Sequence, residues 1–406
     1  MSNIELAIVL AAGEGTRMKS DTAKVLHSIA GRTIIEHVLK SVEPLKAKSL
    51  SVVVGAHRED VEAHLAKVSP KAKPIFQATR NGTGGAVQLA LADHKEDGTV
   101  LILAGDTPLL TSHTLSEFIE AHTNSKNKAS VLTALLPDPT GYGRVLRGEN
   151  NTISKIIEQK DANEIEQEID EINTGVYLFD LTALRDVISK LQANNSQKEL
   201  YLTDVIGLMT NAGNAVTAVL SNDYTETLGI NDRSQLAECA AFMRDRINHE
   251  HMLNGVTMID PTTTWIDADV KIEKDVTIYP ATALSGNSTI GSGSVIGPRT
   301  TLVNCQVGTN ASVIESFATD SKIGSLAKVG PYSYLRAGTL LSDEAKIGAY
   351  VETKNSSIGK GSKVPHLSYV GDAQIGEGTN IGAATIFVNY DGENKHQTKV
   401  GNQVRI

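Results

Sequence analysis

The pattern of hydrophobic and polar positions changes once along the chain, near residue 255. Before that point, short β-type runs alternate with stretches whose apolar residues recur at helical spacing. The β-type runs are "IELAIVL", "LSVVVG", "TVLILAGD", "ASVLTALL" and "NTGVYLFD", and the helical stretches include "TIIEHVLKSVEPL" and "LTALRDVISKL". This alternation predicts an α/β domain with a largely parallel sheet, whose ligands bind beyond the carboxyl ends of the strands.

Beyond residue 255, an aliphatic residue recurs at every sixth position. The series are Ile323, Val329, Leu335, Leu341, Ile347; Ile358, Val364, Val370; Ile375, Ile381; and Val400, Ile406. A period of six fits neither a helix nor a simple strand, and it is the hexapeptide signature of a parallel β-helix. Two interruptions, residues 348–357 and 382–399, are too long for a coil corner, so we expect both to loop out and to carry function.

These hydrophobic patterns divide the chain into three predicted segments. Residues 1–231 form the α/β domain, residues 232–254 a charged helical linker, and residues 255–406 the hexapeptide-repeat β-helix. The linker is indicated by "RSQLAECAAFMRDRINHEHMLNG", a charged helical stretch that ends at a glycine.

Composition narrows the class of protein. A chain of 406 residues is long for one core, and its net charge of −9 gives no electrostatic case for nucleic acid or an anionic membrane as a partner. Cys239 and Cys305 are too few and too far apart for a disulfide framework, which indicates a reducing cytoplasm. The apolar start carries Glu5 where a signal peptide would be basic, and no apolar run reaches the ~20 residues of a membrane span.

A glycine-rich loop follows the first strand. It reads "LAAGEGTRMKS", residues 10–20. Such loops often bind phosphate through backbone N–H groups, although a pair of glycines after a strand is also a common tight turn. The two common nucleotide-binding motifs do not fit, because Gly13 and Gly15 are followed by Thr16, Arg17 and Met18.

The whole chain resembles a family of bifunctional bacterial enzymes, the N-acetylglucosamine-1-phosphate uridyltransferases that are also glucosamine-1-phosphate acetyltransferases. The shared motifs are "LAAGEGTRM", "QATRNGTGGA", "GDTPLL", "PTGYGR", "IIEQKDA", "EINTGVY", "LYLTDV", "GINDR", "YLRAG", "HLSYVGD" and "NYDG". The first motif occurs in many sugar nucleotidyltransferases, whereas "HLSYVGD" and "NYDG" are far more specific. The resemblance implies a Rossmann-like nucleotidyltransferase domain followed by a left-handed parallel β-helix that packs as a homotrimer.

The resemblance assigns uridyl transfer to the first domain. The site must neutralise phosphate charge, for which Arg17 suits the leaving pyrophosphate and Lys24 the α-phosphate. Asp106 and Asn231 are the implied Mg²⁺ ligands; without the resemblance, Asp106 could be a helix cap and Asn231 an ordinary turn residue. The remaining implied contacts for UTP and N-acetylglucosamine 1-phosphate are Leu10, Ala11, Ala12, Gly13, Gly15, Gln77, Gly82, Thr83, Ala104, Gly105, Gly143, Glu158 and Asn173.

The resemblance assigns acetyl transfer to the β-helix. His366 occupies the position of the general base, a role that histidine suits near neutral pH. Arg336 and Lys354 are implied to bind the phosphate of glucosamine 1-phosphate, and Lys395 to approach the same substrates. The implied sugar contacts are Tyr369 and Asn380, and the implied acetyl-CoA contacts are Ala383, Asn389 and Tyr390. A lone histidine on a β-helix is otherwise most simply a surface residue.

Two alternatives stay open from the residues. One is a different sugar nucleotidyltransferase whose β-helix is only structural, and the other is a non-catalytic regulatory subunit of the same architecture. The chain also stops at Ile406, at the start of a hexapeptide, and relatives continue through further coils. We therefore expect uridyl transfer to be normal and acetyl transfer to be weakened through acetyl-CoA binding.

Overall fold

The computed structural model describes residues 4–148 and 152–406, and these divide into two compact units. The first unit runs to Ile29 and continues over Thr33–Cys239, and the second contains Ala30–Arg32 and Ala240–Ile406. The division falls within the helix Arg233–Leu253, where the sequence predicts the linker. No helix in the described part of the chain is long and apolar enough to cross a membrane.

The first unit is built on a mixed, mainly parallel sheet with helices on both faces. Its strands are β1 (Ile4–Ala11), β2 (Ser28–Ile29), β3 (Arg32–Thr33), β4 (Ser49–Val54), β5 (Lys73–Phe76), β6 (Thr99–Ala104), β7 (Ala129–Leu135), β8 (Arg144–Arg147), β9 (Ile153–Ile157), β10 (Glu171–Asp180) and β11 (Val216–Leu220), β3 being assigned partly to the second unit. The helices are α1 (Ile34–Val42), α2 (Arg58–Val68), α3 (Gly82–Leu91), α4 (Ser112–Ser125), α5 (Glu164–Gln167), α6 (Leu181–Ile188) and α7 (Asp204–Asn211). Helix α8 (Arg233–Leu253) begins in this unit and continues into the second.

The main sheet has the order β11-β7-β10-β6-β1-β4-β5, and β8 and β9 extend it from β10. Only β10 runs antiparallel to its neighbours β6 and β7 on that path. Alternate side chains of β1 enter different cores: Leu6 and Ile8 pack with α3, α6 and α7, whereas Ala7 and Val9 pack with α1, α2 and α4. The continuous apolar run of β1 is therefore that of a strand buried on both faces, and the predicted α/β fold is confirmed.

The pairing of β1 with β6 sets the position of the site. The two strands are parallel, and Leu10 lies opposite Ala104 at their carboxyl ends. The glycine loop after β1 and the Gly105–Asp106 turn after β6 are therefore neighbours. The Gly105 N–H donates to the Leu10 carbonyl at 2.9 Å, and a Cβ on Gly105 would lie 2.8 Å from that oxygen. A side chain at position 105 would push the two loops apart.

The second unit is a parallel β-helix of three sheets, in which every third strand from β12 to β32 joins the same sheet and β33 adds to the sheet of β32. The first sheet holds β12 (Thr257–Met258), β15 (Thr277–Ile278), β18 (Val295–Ile296), β21 (Ser312–Val313), β24 (Lys328–Val329), β27 (Lys346–Ala349) and β30 (Lys363–His366). The second holds β13 (Trp265–Ile266), β16 (Ala283–Ser285), β19 (Thr301–Val303), β22 (Phe317–Thr319), β25 (Tyr334–Leu335), β28 (Glu352–Lys354) and β31 (Tyr369–Gly371). The third holds β14 (Lys271–Ile272), β17 (Thr289–Ile290), β20 (Gln306–Val307), β23 (Lys322–Ile323), β26 (Leu340–Leu341), β29 (Ser357–Ile358), β32 (Ala373–Ile375) and β33 (Thr398–Val400).

The six-residue period places the aliphatic residues inside the β-helix. Every member of the predicted series from Ile323 to Ile381 is buried, which accords with the predicted left-handed β-helix of hexapeptide repeats. At the end of the series, Val400 is half-buried and Ile406 is 54% exposed.

The prediction that residues 348–357 loop out is wrong. The coil continues through them as β28, which pairs with β25 and β31. Thr353 takes the interior position six residues after Ile347, is fully buried, and shares a 2.9 Å hydrogen bond with the hydroxyl of Thr339. The aliphatic period breaks there because paired hydroxyls replace an apolar side chain, not because the chain leaves the coil.

The second predicted loop is confirmed in part. The coil continues beyond Gly382 as far as Phe387, which is 6% exposed and donates its backbone N–H to Tyr369. The chain then leaves the coil over residues 388–397 and returns as β33, which pairs in parallel with β32. We call residues 388–397, which include the "NYDG" motif, the insert.

Candidate active sites

A cavity of about 330 Å³ opens at the carboxyl ends of β1 and β6 in the first unit. The predicted residues that line it are Leu10, Ala11, Ala12, Gly13, Lys24, Gln77, Gly82, Thr83, Ala104, Asp106, Glu158 and Asn173. They come from seven separate segments of sequence, and the structure brings them to one concave surface.

Lys24 lies at the centre of the charged side of this cavity. Its ammonium forms an ion pair with the Asp106 carboxylate and donates to Asn231 Oδ1 at 3.3 Å. The Asn231 segment is held there because the Ile230 N–H donates to the Asp106 carbonyl at 2.9 Å. Gly15 has a φ of 64°, and a Cβ on it would lie 2.6 Å from Lys24 Cβ, so this glycine leaves room for the lysine. The structure thus brings both predicted metal ligands to one cation.

The donor set at this point fits a hard cation. Among residues 4–148 and 152–406, no cluster of three or more His, Cys, Asp or Glu side chains could enclose a metal. Asp106 and Asn231 instead offer two side-chain oxygens beside the cavity of about 330 Å³. Mg²⁺ commonly keeps several waters and binds through one or two protein oxygens together with substrate phosphates.

Four predicted residues lie near the cavity without lining it in the described structure. Gly15 and Asn231 contact Lys24, and Gly105 supports the neighbouring turn. The Gly143 carbonyl accepts from the Asn173 N–H at 2.8 Å, so it positions a residue of the lining.

Arg17 stands apart from the other predicted residues. It lies on the short helical turn Thr16–Met18 and is exposed. Its guanidinium makes no hydrogen bond or ion pair with any residue that the structure describes, and it lies outside the lining of the cavity. The structure therefore places a free cation next to the glycine loop.

Polar groups that are buried or half-buried form the far end of the cavity. Glu158 Oε1 accepts from the Thr203 hydroxyl at 3.1 Å, and burial raises the pKa of Glu158. The Asn173 amide donates to the Tyr177 hydroxyl at 2.7 Å, and burial raises the pKa of Tyr177, which keeps that hydroxyl protonated. A carboxyl, an amide and two hydroxyls are the groups that recognise a polyhydroxylated ligand.

The third side of the cavity is formed by the start of α3. Gln77 is buried, and its amide donates to Asn81 Oδ1 at 2.8 Å and to the Gly82 carbonyl at 3.1 Å. The Thr83 hydroxyl accepts from the Leu202 N–H at 3.0 Å. At Gly82 the φ is 91°, and a Cβ would lie 2.5 Å from the Leu200 carbonyl, so only glycine fits this turn.

The site analysis from sequence missed four polar residues that line the cavity. They are Arg80, Tyr177, Glu199 and Thr203. Arg80 forms an ion pair with Glu14 of the glycine loop, which joins two sides of the cavity. Three of the four lie in motifs already singled out, "QATRNGTGGA", "EINTGVY" and "LYLTDV". The motifs therefore indicated the right segments of the chain, but a motif does not indicate which of its residues faces the cavity.

The second unit carries its predicted residues on the last coils of the β-helix. Arg336 follows β25, Lys354 ends β28 and Gly371 ends β31, so these three positions stack along the second sheet. Arg336 Nη1 donates to Glu352 Oε1 at 3.0 Å, which raises the pKa of Arg336. The ammonium of Lys395 approaches Lys354 and lowers the pKa of Lys354. Cations that converge on one surface form an anion-binding site.

The remaining predicted residues surround this surface. His366 is exposed at the end of β30. Asn380 lies in the next coil, where its backbone pairs in parallel with that of Lys363 on the same strand. The Ala384 N–H donates to the His366 carbonyl at 3.3 Å, so Ala383 belongs to the next coil. Tyr390 is 55% exposed on the insert, and its backbone pairs in antiparallel fashion with that of Lys395.

Tyr369 and Asn389 meet above a glycine. A Cβ on Gly371 would lie 2.5 Å from the Tyr369 hydroxyl and 2.7 Å from Asn389 Nδ2. The absence of a side chain at position 371 therefore lets a tyrosine of the coil and an asparagine of the insert approach each other.

Comparison with known proteins agrees with this architecture. The model of the MobA-like NTP transferase domain matches residues 7–166. The bifunctional protein GlmU of Streptomyces avermitilis is 49% identical over 401 residues, which cover 98% of this chain and 83% of the relative. The bifunctional proteins GlmU of Streptomyces coelicolor and Corynebacterium glutamicum (strain ATCC 13032) are each 49% identical with the same coverage. At this identity over nearly its whole length, the chain belongs to the GlmU family of bifunctional proteins.

Proposed function

We propose that the chain makes UDP-N-acetylglucosamine in two steps. The second unit transfers acetyl from acetyl-CoA to glucosamine 1-phosphate. The first unit then transfers uridyl from UTP to N-acetylglucosamine 1-phosphate and releases pyrophosphate. The observation that carries the proposal is the cluster of Lys24, Asp106 and Asn231 at the carboxyl ends of the strands, beside the polar pocket of Glu158 and Asn173.

Uridyl transfer needs charge neutralisation and alignment. A phosphate oxygen of the sugar phosphate attacks the α-phosphorus of UTP, and the bond to pyrophosphate breaks. Lys24 holds the α-phosphate and Arg17 the departing pyrophosphate, while the N–H groups of the glycine loop bind the triphosphate. Asp106 and Asn231 would hold Mg²⁺, which neutralises phosphate charge when bound. No proton has to be removed from a phosphate nucleophile at neutral pH, so positioning carries most of the catalysis.

Recognition of the two substrates is divided along the cavity. Gln77, Gly82 and Thr83 contact the uracil and ribose. Glu158 and Asn173 bind the hydroxyls and acetamide of the sugar, and the Gly143 carbonyl holds Asn173 in place. The fixed partners of these groups, Thr203 for Glu158 and Tyr177 for Asn173, orient them before the sugar arrives.

Acetyl transfer needs a base and an anion site. His366 accepts a proton from the amino group, the amine nitrogen attacks the thioester carbonyl, and the coenzyme A thiolate leaves and is protonated. Arg336, Lys354 and Lys395 bind the phosphate of the acceptor, and Tyr369 and Asn380 bind its sugar. Ala383, Asn389 and Tyr390 bind acetyl-CoA.

Exposed aromatic residues on the β-helix support a homotrimer. The rings of Tyr332 and Tyr350 stack at 5.3 Å between centroids although the residues are 50% and 60% exposed, and Leu367 in the following coil is 61% exposed. A contiguous apolar strip of this kind marks a protein–protein interface. We place the assembly in the cytoplasm, which accords with two free, buried cysteines.

The test is a product assay of the purified chain with both half-reactions. UTP and Mg²⁺ are supplied with N-acetylglucosamine 1-phosphate, glucose 1-phosphate or mannose 1-phosphate, and release of pyrophosphate is measured. Acetyl-CoA is supplied with glucosamine 1-phosphate, and release of free thiol is measured. Preference for N-acetylglucosamine 1-phosphate together with acetyl-CoA turnover supports the proposal. Nucleotidyl transfer without acetyl-CoA turnover would favour a nucleotidyltransferase with a structural β-helix.

A further inference from the structure

One corner of the β-helix carries a row of Asn and Asp residues. Asn304, Asp320, Asn355 and Asp372 each follow a strand of the second sheet, and each has a positive φ between 44° and 53°. Asn and Asp tolerate this left-handed conformation better than other side chains with a Cβ. Asn304 Nδ2 donates to Asp320 Oδ1 at 3.2 Å, and Asn355 Nδ2 donates to Asp372 Oδ1 at 2.6 Å. We call these four residues the corner row.

Asp372 differs from the rest of the corner row in its second oxygen. Its Oδ2 accepts a hydrogen bond from Nδ2 of Asn389, which lies on the insert. Both partners are buried, Asp372 at 8% and Asn389 at 9% exposure, whereas Asp320 is exposed. The main chain of Asp372 makes a second contact at the end of the insert. Its carbonyl accepts from the Thr398 N–H at 3.1 Å, at the point where the chain returns from the insert. One residue therefore holds the insert at its beginning and at its end.

The contacts of Asp372 reach three of the groups assigned to acetyl transfer. Its Oδ2 fixes the Asn389 amide beside the Tyr369 hydroxyl, above Gly371. Its backbone N–H donates to the Lys354 carbonyl at 3.0 Å. Hydrogen bonds from Asn355 and Asn389, together with the nearby charges of Lys354 and Lys395, lower the pKa of Asp372. The carboxylate is ionised at neutral pH and offsets the repulsion between the two ammonium groups.

We propose that Asp372 is a positioning residue for acetyl transfer, which fixes the insert against the coil and so orients Asn389 and Lys395 toward the substrates. It does not touch the reacting atoms. The proposal rests on the acetyl-transfer function proposed above. The hydrogen bond between Asp372 and Asn355 belongs to the repeating pattern of the corner row. The hydrogen bond between Asp372 and Asn389 does not belong to that pattern, and it is the observation on which the proposal rests.

The test replaces Asp372 in the full chain and follows the insert directly. Asp372→Asn keeps the size of the side chain, but its amide nitrogen is a donor and cannot accept a hydrogen bond, so one of the two bonds from Asn355 and Asn389 is lost. Amide hydrogen exchange of residues 388–397 in the free protein is expected to rise by about tenfold to hundredfold, the range for losing one charge-assisted hydrogen bond, while exchange in β19–β28 stays unchanged. The KM values for acetyl-CoA and glucosamine 1-phosphate are expected to rise more than kcat falls, and uridyl transfer is expected to be unaffected.

Two further variants separate positioning from general stability. Asp320→Asn makes the same change at the other aspartate of the corner row, which lies in an earlier coil and has no contact with the insert in the described structure. This variant is expected to keep the amide exchange of the insert and both activities of the parent. Asn389→Ala removes the other partner and leaves the corner row intact, so it is expected to raise exchange of the insert as Asp372→Asn does, and the double variant to add little. Unchanged exchange of the insert in Asp372→Asn, or full additivity in the double variant, would overturn the proposal. Because exchange is measured without substrate, that failure is distinct from a parent chain that does not acetylate.

Discussion

Lys24 and Asp106, which are 82 residues apart in sequence, form an ion pair inside the cavity of the first unit. The lysine neutralises the one carboxylate assigned to a metal before any substrate is present. We expect substrate binding to divide this pair, because Lys24 is assigned to the α-phosphate and Asp106 to Mg²⁺. Arg17, in contrast, has no such partner among the described residues, so its loss is tested separately from that of Asp106.

Asp106→Ala should strongly impair uridyl transfer and leave acetyl transfer intact. The variant loses the carboxylate assigned to Mg²⁺, the ion that neutralises the charge of the phosphates. We therefore expect kcat/KM for uridyl transfer to fall by about 10²–10³-fold or more. The measurement is pyrophosphate release from UTP, Mg²⁺ and N-acetylglucosamine 1-phosphate, with thiol release from acetyl-CoA as the second readout. Equal loss of both activities in a folded variant would contradict the assignment.

Arg17→Ala should also lose uridyl transfer, but with no change in the stability of the unit. Its guanidinium is exposed and makes no contact that the structure describes, so its removal costs no packing. Arg58→Ala is the control for activity, since Arg58 is an exposed arginine of the same unit that pairs with Glu62 on α2, lies over the Phe76 ring and is outside the lining of the cavity. If Arg17→Ala turns over UTP as fast as Arg58→Ala does, the pyrophosphate role is wrong.

His366→Ala should remove the base for acetyl transfer. The expected loss is roughly 10²–10⁴-fold in acetyl transfer, the usual contribution of a general base. Uridyl transfer from ready-made N-acetylglucosamine 1-phosphate serves as the internal control, because its residues belong to the other unit. A variant that acetylates at near the parent rate would return His366 to the role of a surface residue.

Glu158→Gln should reveal the cost of the buried carboxyl as a function of pH. Burial raises the pKa of Glu158 above its ordinary value of 4.5, so the folded state favours the protonated acid. Ionisation of the parent then reduces stability as pH rises above 4.5, and the loss levels off above the raised pKa. The glutamine cannot ionise, so its advantage in free energy of unfolding should grow with pH over that window.

Denaturant unfolding at several pH values measures this difference for Glu158→Gln against the parent. Glu120→Gln, at an exposed position of α4, is the control and should show no such trend. A constant difference across the pH range would mean that the folded state does not raise the pKa of Glu158. Sugar binding is expected to weaken in Glu158→Gln, since an amide cannot accept from two hydroxyls as a carboxylate does.

Tyr350→Glu should disrupt the proposed homotrimer. It places a charge in the exposed stack that Tyr350 forms with Tyr332, and a buried unpaired charge is costly at an interface. Light scattering after gel filtration should show smaller species for the variant, whereas Lys328→Glu, at an exposed position of β24 that is not part of the stack, should leave the oligomer unchanged. The same mass for Tyr350→Glu and the parent would place the interface elsewhere.

The sequence predicted the architecture well because both halves carry strong periodic patterns. The strand and helix runs before residue 255 and the six-residue period after it each correspond to observed elements. Prediction was wrong at residues 348–357, since a pattern of aliphatic residues cannot register that Thr353 occupies an interior position with its hydroxyl paired to Thr339. At the sites, motifs indicated the right segments, but only three-dimensional contacts show that Thr203 holds Glu158 and that Asp372 holds Asn389.

The parallel pairing of β32 with β33 has a consequence for how this part of the molecule can vary. The chain enters residues 388–397 from Phe387, whose backbone N–H donates to the Tyr369 carbonyl, and it returns as β33, which pairs with β32, so both ends of that segment are fixed by main-chain hydrogen bonds. The entropy of closing a loop grows only with the logarithm of its length. Residues could therefore be added to or removed from the tip of this segment at little cost in folding free energy, and the reach of Tyr390 and Lys395 could be altered without repacking a single interior side chain.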